Sequence, residues 1–310
     1  PRPMPFFIKI APPALIEKER ENYRTYADFF IPFHLRPNVV PERCVRGESL
    51  SSIVGNFVDE SRPLREILRT GQSPGIIFSL FENTLKGFRS QPPEGDGNLA
   101  TFVQERARVS DIKSDVVALA RGFGLKRTPI EIGALLVENT KGIARPFRTY
   151  HGDLHPGNVM ARGRDAIVID FSNIKSGPIT ADPASLEVGL VFGTDEPDKL
   201  KEFDEWKAFV DEIYGSVPIH KPPLPERNPG PVSWLRRAVR EVRHVLLGCD
   251  CEQCEAAAVL AAFLLRFARL DVEISGTGVR NTLAVRKHAY ALVVAERLAS
   301  EMPPCNSGGV

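Results

Sequence analysis

The residues with the most specific chemical pattern lie in one segment near the middle of the chain. Residues 151–158 read HGDLHPGN, and Asp170 follows twelve residues after Asn158. The carboxylate of Asp153 could orient and deprotonate a hydroxyl, while Asn158 and Asp170 could hold Mg²⁺ against nucleotide phosphates. Residues 166–169 are apolar and predict a short buried strand that would deliver Asp170 to the site. This spacing predicts phosphoryl-transfer chemistry.

The combined pattern, HGDLHPGNV followed by IVIDF, resembles the catalytic segment of the aminoglycoside phosphotransferase and choline kinase family. That family is the small-molecule branch of the protein-kinase-like fold. A narrower resemblance is to the ternary-complex-associated phosphotransferase-like modules of bacterial conflict and signalling proteins. The chain departs from protein kinases proper at Gly152, where they carry Arg, and at Ser172, where their metal-binding loop has Gly. The resemblance extends from Phe6 to about Phe192.

The resemblance implies an α+β, protein-kinase-like fold with two lobes. Residues 1–60 would form a partial amino-terminal lobe with a lysine strand, a glutamate helix and a hinge. Residues 61–310 would form a mostly helical carboxy-terminal lobe with the catalytic and metal-binding loops. Lys9, in the apolar run at 6–10, matches the family's phosphate-contacting lysine. No phosphate-covering loop precedes that run, so either the chain is a fragment of a longer protein or this loop has been lost. We favour a fragment, with a truncated lobe, that is inactive without the rest of the protein and its partner domains.

The glutamate that pairs with this lysine in the family is predicted on the following helix, over residues 13–30. Glu17, Glu19 and Glu21 all lie in its first half. Glu19 precedes Tyr23 by four residues and therefore shares its helix face. Glu19 is thus the favoured partner of Lys9, with Glu21 as the alternative and a solvated charged face as the simplest explanation for any one of them.

The hinge between the lobes is predicted after two strands at 44–46 and 51–57. Backbone groups of Phe57 and Val58 would meet the adenine edge of ATP there. A new helix is predicted from residue 62, and a loop over 91–98. Asp182 matches an aspartate that braces the catalytic loop in the family, and a helix N-cap is an equally good role for it.

The remaining elements are predicted from periodicity and from breaker residues. Helices are expected at 76–88, 116–121, 130–137, 234–247, 255–270 and 282–298. A long surface loop is expected over 216–232, and the tail after residue 302 is expected to lack order.

Composition excludes several classes of partner. The 40 basic and 39 acidic residues nearly cancel, so a global electrostatic footprint for nucleic acid or an anionic membrane is absent. The most apolar stretch, 256–270, is short and contains two arginines, which predicts a core helix and no membrane span. Five cysteines, an odd number, favour a reducing cytoplasm over a secreted disulfide framework.

Three of the cysteines, Cys249, Cys251 and Cys254, have C-x-C-x-x-C spacing. A structural zinc site needs four ligands, so Cys44 or Cys305 would have to complete it from a distant part of the sequence. Ordinary reduced cysteines are the favoured interpretation.

The resulting functional hypothesis is an ATP- and Mg²⁺-dependent phosphotransferase that acts on a hydroxyl of a small molecule. Asp153 would be the base, Asn158 and Asp170 the metal ligands, and Lys9, held by Glu19, would position the phosphates. The alternative is a regulatory nucleotide-binding module that catalyses no transfer. The acceptor cannot be predicted, because variable helices and loops build acceptor pockets.

Overall fold

The computed structural model describes residues 5–72, 74–193, 200–215, 219, 221–223, 232–249, 251–270 and 283–305. The predicted loop at 216–232 lies largely outside these residues, as does the end of the tail, 306–310.

The strands of the described chain are β1 (Phe6–Ala11), β2 (Ser51–Asn56), β3 (Arg62–Pro63), β4 (Gly95–Asn98), β5 (Ala144–Tyr150), β6 (Val159–Arg162), β7 (Asp165–Val168) and β8 (Lys175–Pro178). The helices are α1 (Pro13–Asn22), α2 (Asp28–Phe30), α3 (Leu64–Thr70), α4 (Ile76–Ser79), α5 (Lys86–Ser90), α6 (Leu99–Ala107), α7 (Ser114–Gly122), α8 (Pro129–Asn139), α9 (Ala181–Phe192), α10 (Leu200–Gly215), α11 (Ser233–Leu247), α12 (Gln253–Arg269) and α13 (Leu283–Ser300). Single π-helical turns, Tyr23–Ala27 and Leu80–Thr84, connect α1 to α2 and follow α4.

The chain divides into two compact units. Unit 1 contains Pro1–Glu94 and Arg148–Ser176, and unit 2 contains Gly95–Phe147 and Gly177–Val310. These units differ from the predicted lobes, because the segment at 151–170 belongs to the unit that also contains β1. The lobe boundary at residue 60 stays a prediction.

Unit 1 is built around two antiparallel sheets. In the first, β1 pairs with β2, with Lys9 opposite Ile53. In the second, the order is β3-β6-β7, and Val159 lies opposite Val168. The apolar side chains of β7 are fully buried, as its unbroken apolar run predicts, and Leu64 of α3 is equally buried.

Unit 2 is mostly helical. Helix α12 packs against α13, α9 and α6, and its face of Ala, Leu and Phe side chains is buried. Helix α8 begins with a capping box, in which Thr128 and Glu131 satisfy each other's backbone N–H groups, and Pro129 occupies the first helical turn.

One buried ion pair links two helices of unit 2. Nη2 of Arg243 on α11 lies 2.8 Å from Oε1 of Glu187 on α9, and both side chains are almost fully buried. Arg243 Nη1 also donates to the carbonyl of Ile213, so the guanidinium is paired in more than one direction. Glu187 therefore joins α9 to α11.

Several predicted elements differ from the structure. The predicted strand at 44–46 is reduced to one bridge between Val45 and Ser52. The predicted loop at 91–98 ends in β4, where a Cβ on Gly97 would lie 2.2 Å from the Phe147 ring. Glycine therefore allows the strands to approach closely. The helix predicted from residue 62 begins at Leu64, and helices α6 and α10 were not predicted.

The expectation of reduced cysteines is wrong for one pair. Cys254 and Cys305 form a disulfide across 51 residues of sequence. Their spacing could not reveal this pairing, because it depends on where the segment after α13 returns in space.

Within the described residues, no helix is both long and apolar enough to cross a membrane.

Candidate functional site

Lys9 lies on the pocket-facing side of β1. Side chains alternate across a strand, so Phe7 and Lys9 face one way, whereas Ile8 and Ile10 are exposed on the other. The Lys9 ammonium contacts two carboxylates: Nζ lies 2.7 Å from Oε2 of Glu19 and 2.9 Å from Oδ2 of Asp170. One cation thus joins a strand, a helix and the loop after β7.

Glu19 is the glutamate that the structure brings to Lys9. It is 5% exposed on α1, whereas Glu21 is exposed to solvent. Burial raises the pKa of Glu19 above its ordinary value, against the opposing effect of the Lys9 ammonium. Burial alone would lower the pKa of Lys9, but the hydrogen bonds to Glu19 and Asp170 outweigh it, and the Lys9 pKa is raised.

Asp170 is delivered by the ladder between β6 and β7. The ladder continues one step past both strands, since the N–H of Ile169 donates to the carbonyl of Asn158 at 3.0 Å. This bond sets Asn158 beside the residue that precedes Asp170. Asp170 has a φ of 62°, a left-handed backbone that turns its carboxylate out of the strand direction. Asp and Asn tolerate this conformation better than most residues.

Ser172 holds the second oxygen of the Asp170 carboxylate. Its Oγ donates to Oδ1 at 2.7 Å and its backbone N–H donates to the same oxygen at 3.3 Å. Burial opposes ionisation of Asp170, but the bonds from Ser172 and Lys9 prevail and lower its pKa. The sequence had marked Ser172 only as a departure from Gly. The Asp-x-Ser spacing is the sequence signal that could have revealed the role of Ser172, because an Asp side chain often accepts a hydrogen bond from the backbone N–H two residues later.

Asn158 and Asp153 lie on one short loop. The Nδ2 group of Asn158 donates to the carbonyl of Asp153 at 2.9 Å, which leaves the amide oxygen outside that bond. Asn158 is buried and lines the cavity described below. Asp153 is half-buried and does not belong to the cavity lining.

Gly152 and His151 fix the start of this loop. Gly152 has a φ of 81°, and a Cβ there would lie 1.9 Å from the carbonyl oxygen of Asn173. This contact explains why glycine stands where protein kinases carry Arg. His151 is fully buried, and its Nε2 lies 3.1 Å from the carbonyl of Ile169, so it ties the loop to the strand that precedes Asp170.

The site opens into a cavity of about 240 Å³ within unit 1. Its apolar lining is Phe7, Tyr23, Pro37, Val39, Ile53, Phe57, Val58, Met160, Ile169 and Phe171, and its polar lining is Lys9, Glu19, Asn56, Ser61, Asn158 and Asp170. An apolar body with a few convergent polar groups is typical of a small-molecule site.

The predicted hinge residues Phe57 and Val58 both line this cavity. Part of their backbone is already engaged, because the Phe57 N–H donates to Pro5 and the Val58 carbonyl accepts from Ser61. An adenine edge would therefore have to use other groups of the segment, such as the Val58 N–H.

The polar residues fit a magnesium ion and nucleotide phosphates. Mg²⁺ prefers oxygen ligands and uses one or two carboxylates together with phosphates. Asp170 supplies a carboxylate and Asn158 an amide oxygen, and both line the same cavity. The cluster contains the one positive charge of Lys9 and the two negative charges of Glu19 and Asp170. Its excess negative charge would favour the binding of a further cation.

Comparison with solved structures defines the class of protein first. The chain has the α+β, two-lobe fold of kinase-like phosphotransferases. It is similar to the aminoglycoside phosphotransferase APH(4)-Ia, with a TM-score of 0.56, 13% identity and coverage of 96% of this chain and 86% of that one. It is also similar to a glucosamine kinase, with a TM-score of 0.51, 14% identity and coverage of 94% and 71%.

A thermostable mutant of APH(4)-Ia, in a ternary complex with ADP and hygromycin B, matches with a TM-score of 0.53 at 12% identity, over 96% of this chain and 86% of that one. At these identities the likeness shows the fold alone.

The family follows from the sequence. A model of the ternary complex associated domain 9 family matches residues 128–301, more than half of the 310 residues, and the chain belongs to this family. The match includes the loop at 151–158 and Asp170, whereas Lys9 and Glu19 precede it. No curated protein sequence matches the chain significantly.

The close approach at Gly152 predicts a stability difference between two glycine variants. Gly152→Ala should lower the free energy of unfolding by about 1–3 kcal/mol from its left-handed backbone, and further because the new methyl group meets Asn173. Gly163→Ala is the matched control, since Gly163 has a φ of 60° with nothing within 4 Å of an added Cβ. Denaturant unfolding of both variants gives the comparison. Equal losses in the two would show that the Asn173 contact yields without cost.

The burial of His151 predicts its protonation state. Burial lowers the pKa of His151 to about 4, so the ring should stay neutral down to about pH 5. Because Nε2 faces a carbonyl, the neutral form should carry its proton on Nε2. Nitrogen-15 spectra of the imidazole rings between pH 4 and pH 8 would show this. A His151 titration near its ordinary value of 6.5 would contradict it.

Proposed function

We propose that unit 1 binds ATP together with Mg²⁺ and transfers the γ-phosphoryl group to a hydroxyl of a small molecule. The observation that carries this proposal is the Lys9 ammonium, which contacts both Glu19 and Asp170 at the polar end of an otherwise apolar cavity. A purine-sized apolar space beside a lysine, an acid and an amide oxygen is what nucleotide phosphates and a divalent ion require.

Each residue of the site has a proposed role. Lys9, held in place by Glu19, positions the phosphates. Asn158 and Asp170 hold the magnesium ion, which when bound would neutralise charge on the phosphates. Asp153 lies on the same loop but outside the cavity lining, where it would accept the proton of the incoming hydroxyl. Most of the rate acceleration then comes from positioning and electrostatics, because phosphoryl transfer demands little covalent chemistry from the protein.

The cavity also supports a proposed orientation of the nucleotide. Phe57 and Val58 line the cavity with the apolar groups, and the adenine would lie against them. The triphosphate would then extend towards Lys9 and Asp170. The acceptor would be a small molecule in the cytoplasm, and amino sugars are the first class to test because the solved structures of this fold include a glucosamine kinase.

One observation favours the non-catalytic alternative. Both oxygens of Asp170 already accept hydrogen bonds, Oδ2 from Lys9 and Oδ1 from Ser172. Oδ2 keeps a second lone pair for a metal, whereas Oδ1 already accepts two bonds from Ser172, and every donor weakens the carboxylate as a ligand. A module that binds nucleotide and transfers nothing would share all the geometry described above.

Two variants separate the enzyme from the binding module. Asp153→Asn should leave the dissociation constant of ATP near the wild-type value and reduce phosphoryl transfer by roughly 10²- to 10⁴-fold, the usual contribution of a positioned base. Asp170→Ala should reduce both, because it removes a metal ligand. Calorimetry with ATP and Mg²⁺, and phosphate transfer from labelled ATP to a panel of amino sugars and aminoglycosides, would measure the two effects.

Asp165→Asn is the matched control. Asp165 is the first residue of β7, the strand that precedes Asp170, and its carboxylate lies 3.5 Å from Arg162 at the surface. Both measurements should therefore stay unchanged in this variant. Unaltered transfer in Asp153→Asn would refute the base assignment. Nucleotide binding by the wild-type chain without transfer to any acceptor would favour the regulatory module.

A further inference from the structure

Two segments of unit 2 bring together cysteines that do not belong to the proposed nucleotide site. Helix α11 ends at Leu247 and α12 begins at Gln253, and Cys249 and Cys251 lie between them. Cys254 is in the first turn of α12. The segment after α13 returns to this place, since Cys305 is bonded to Cys254 with their Cα atoms 5.3 Å apart. Four of the five cysteines of the chain therefore belong to two segments that meet.

A carboxylate completes a compact set of donor atoms at this meeting point. A carboxylate oxygen of Glu252 and the sulfurs of Cys254 and Cys305 all lie within 4.8 Å of one another. Cys254 Sγ is 3.4 Å from Oε2 of Glu252. The other oxygen, Oε1, lies 2.9 Å from Nη2 of Arg145. An outer partner of this kind orients a ligating carboxylate.

A fourth donor lies one step along the chain. Cys251 and Cys254 have the C-x-x-C spacing of structural zinc sites. Cys251 is half-buried, and its Sγ is 3.8 Å from the carbonyl of Leu246, which is a weak contact. A rotation about χ1 of Cys251 would give up this contact and allow the sulfur to bind a metal. Cys249 is more buried, and its Sγ donates to Val245 at 3.3 Å, which directs it back towards α11.

We propose that, in the reduced chain, Cys251, Glu252, Cys254 and Cys305 bind a thiophilic divalent cation of the zinc type. Zinc takes four ligands in tetrahedral geometry from thiolate and carboxylate donors. Such a site would fasten the segment after α13 to the first turn of α12, and it is independent of the nucleotide cavity of unit 1.

The disulfide and the bound cation are alternative states of the same residues. Only a thiolate ligates the metal, so the Cys254–Cys305 bond must first be reduced by two electrons. A dithiol supplies these with two protons and becomes a disulfide, whereas a phosphine supplies them as it becomes its oxide and water supplies the oxygen and the two protons. The two thiols then lose their protons to solvent as the cation binds, and Cys251 loses one as well. The structure shows the oxidised state.

Cobalt binding to the full chain tests this proposal. Metal-free protein, reduced with a phosphine, should bind one equivalent of Co²⁺ with the thiolate charge-transfer absorption of a tetrahedral site, and Zn²⁺ should abolish that absorption. The same protein with its disulfide intact should show no such band. Cys305→Ser and Glu252→Gln should each weaken cobalt binding by at least about tenfold, because loss of an outer partner already weakens metal sites by that factor.

Cys44→Ser is the matched control, since Cys44 belongs to unit 1 and should not affect cobalt binding. The wild-type spectrum alone decides the main claim, so it does not depend on whether a variant folds. Absence of the thiolate band in the reduced wild-type chain would overturn the proposal. Undiminished binding by Cys305→Ser, or by the oxidised protein, would also overturn it.

Discussion

The contact of one ammonium with two carboxylates is the interaction on which the rest of the site depends. A charge that loses water on burial is costly unless it is paired, and Lys9, Glu19 and Asp170 are paired within 3 Å. Burial of any of these three charges is therefore tolerated only if the three elements that carry them are all placed correctly. Strand β1 delivers the lysine, α1 the glutamate, and the turn after β7 the aspartate.

The backbone around this cluster serves its placement. The ladder bond between Asn158 and Ile169 brings the loop and the strand end together, and the left-handed turn at Asp170 aims its carboxylate back at Lys9. His151 and Gly152 fix the start of the same loop. His151 is buried with its ring against the Ile169 carbonyl, and Gly152 lacks a side chain where one would meet Asn173. Together these bonds hold a cluster of one ammonium and two carboxylates, whose formal charge is negative by one unit.

The parts that sequence reasoning predicted are those with local signals. The strand that carries Lys9 follows from the apolar run at 6–10, and the buried strand before Asp170 follows from a second apolar run. The shared face of Glu19 and Tyr23 follows from helical periodicity. The bonds of Ser172 to Asp170 span only two residues, and they were missed because Ser172 was compared only with the Gly of protein kinases. The contact between Gly152 and Asn173 and the Cys254–Cys305 pair were not predicted because they depend on where distant segments meet, and no spacing along the chain encodes that. Strand β4 was missed for a related reason. Its glycines are typical of a loop, and their place in a strand depends on the pairing with β5, where the Phe147 ring lies against Gly97.

Under the proposed function, the cluster of Lys9, Glu19 and Asp170 accepts nucleotide phosphates only with a divalent cation. The most direct measurement is calorimetry of ATP with the wild-type chain, in Mg²⁺ and in a chelator. The cluster already carries excess negative charge, so like-charge repulsion predicts binding in Mg²⁺ and at least a tenfold loss, about 1.4 kcal/mol, in the chelator. Equal affinity under the two conditions would contradict the account.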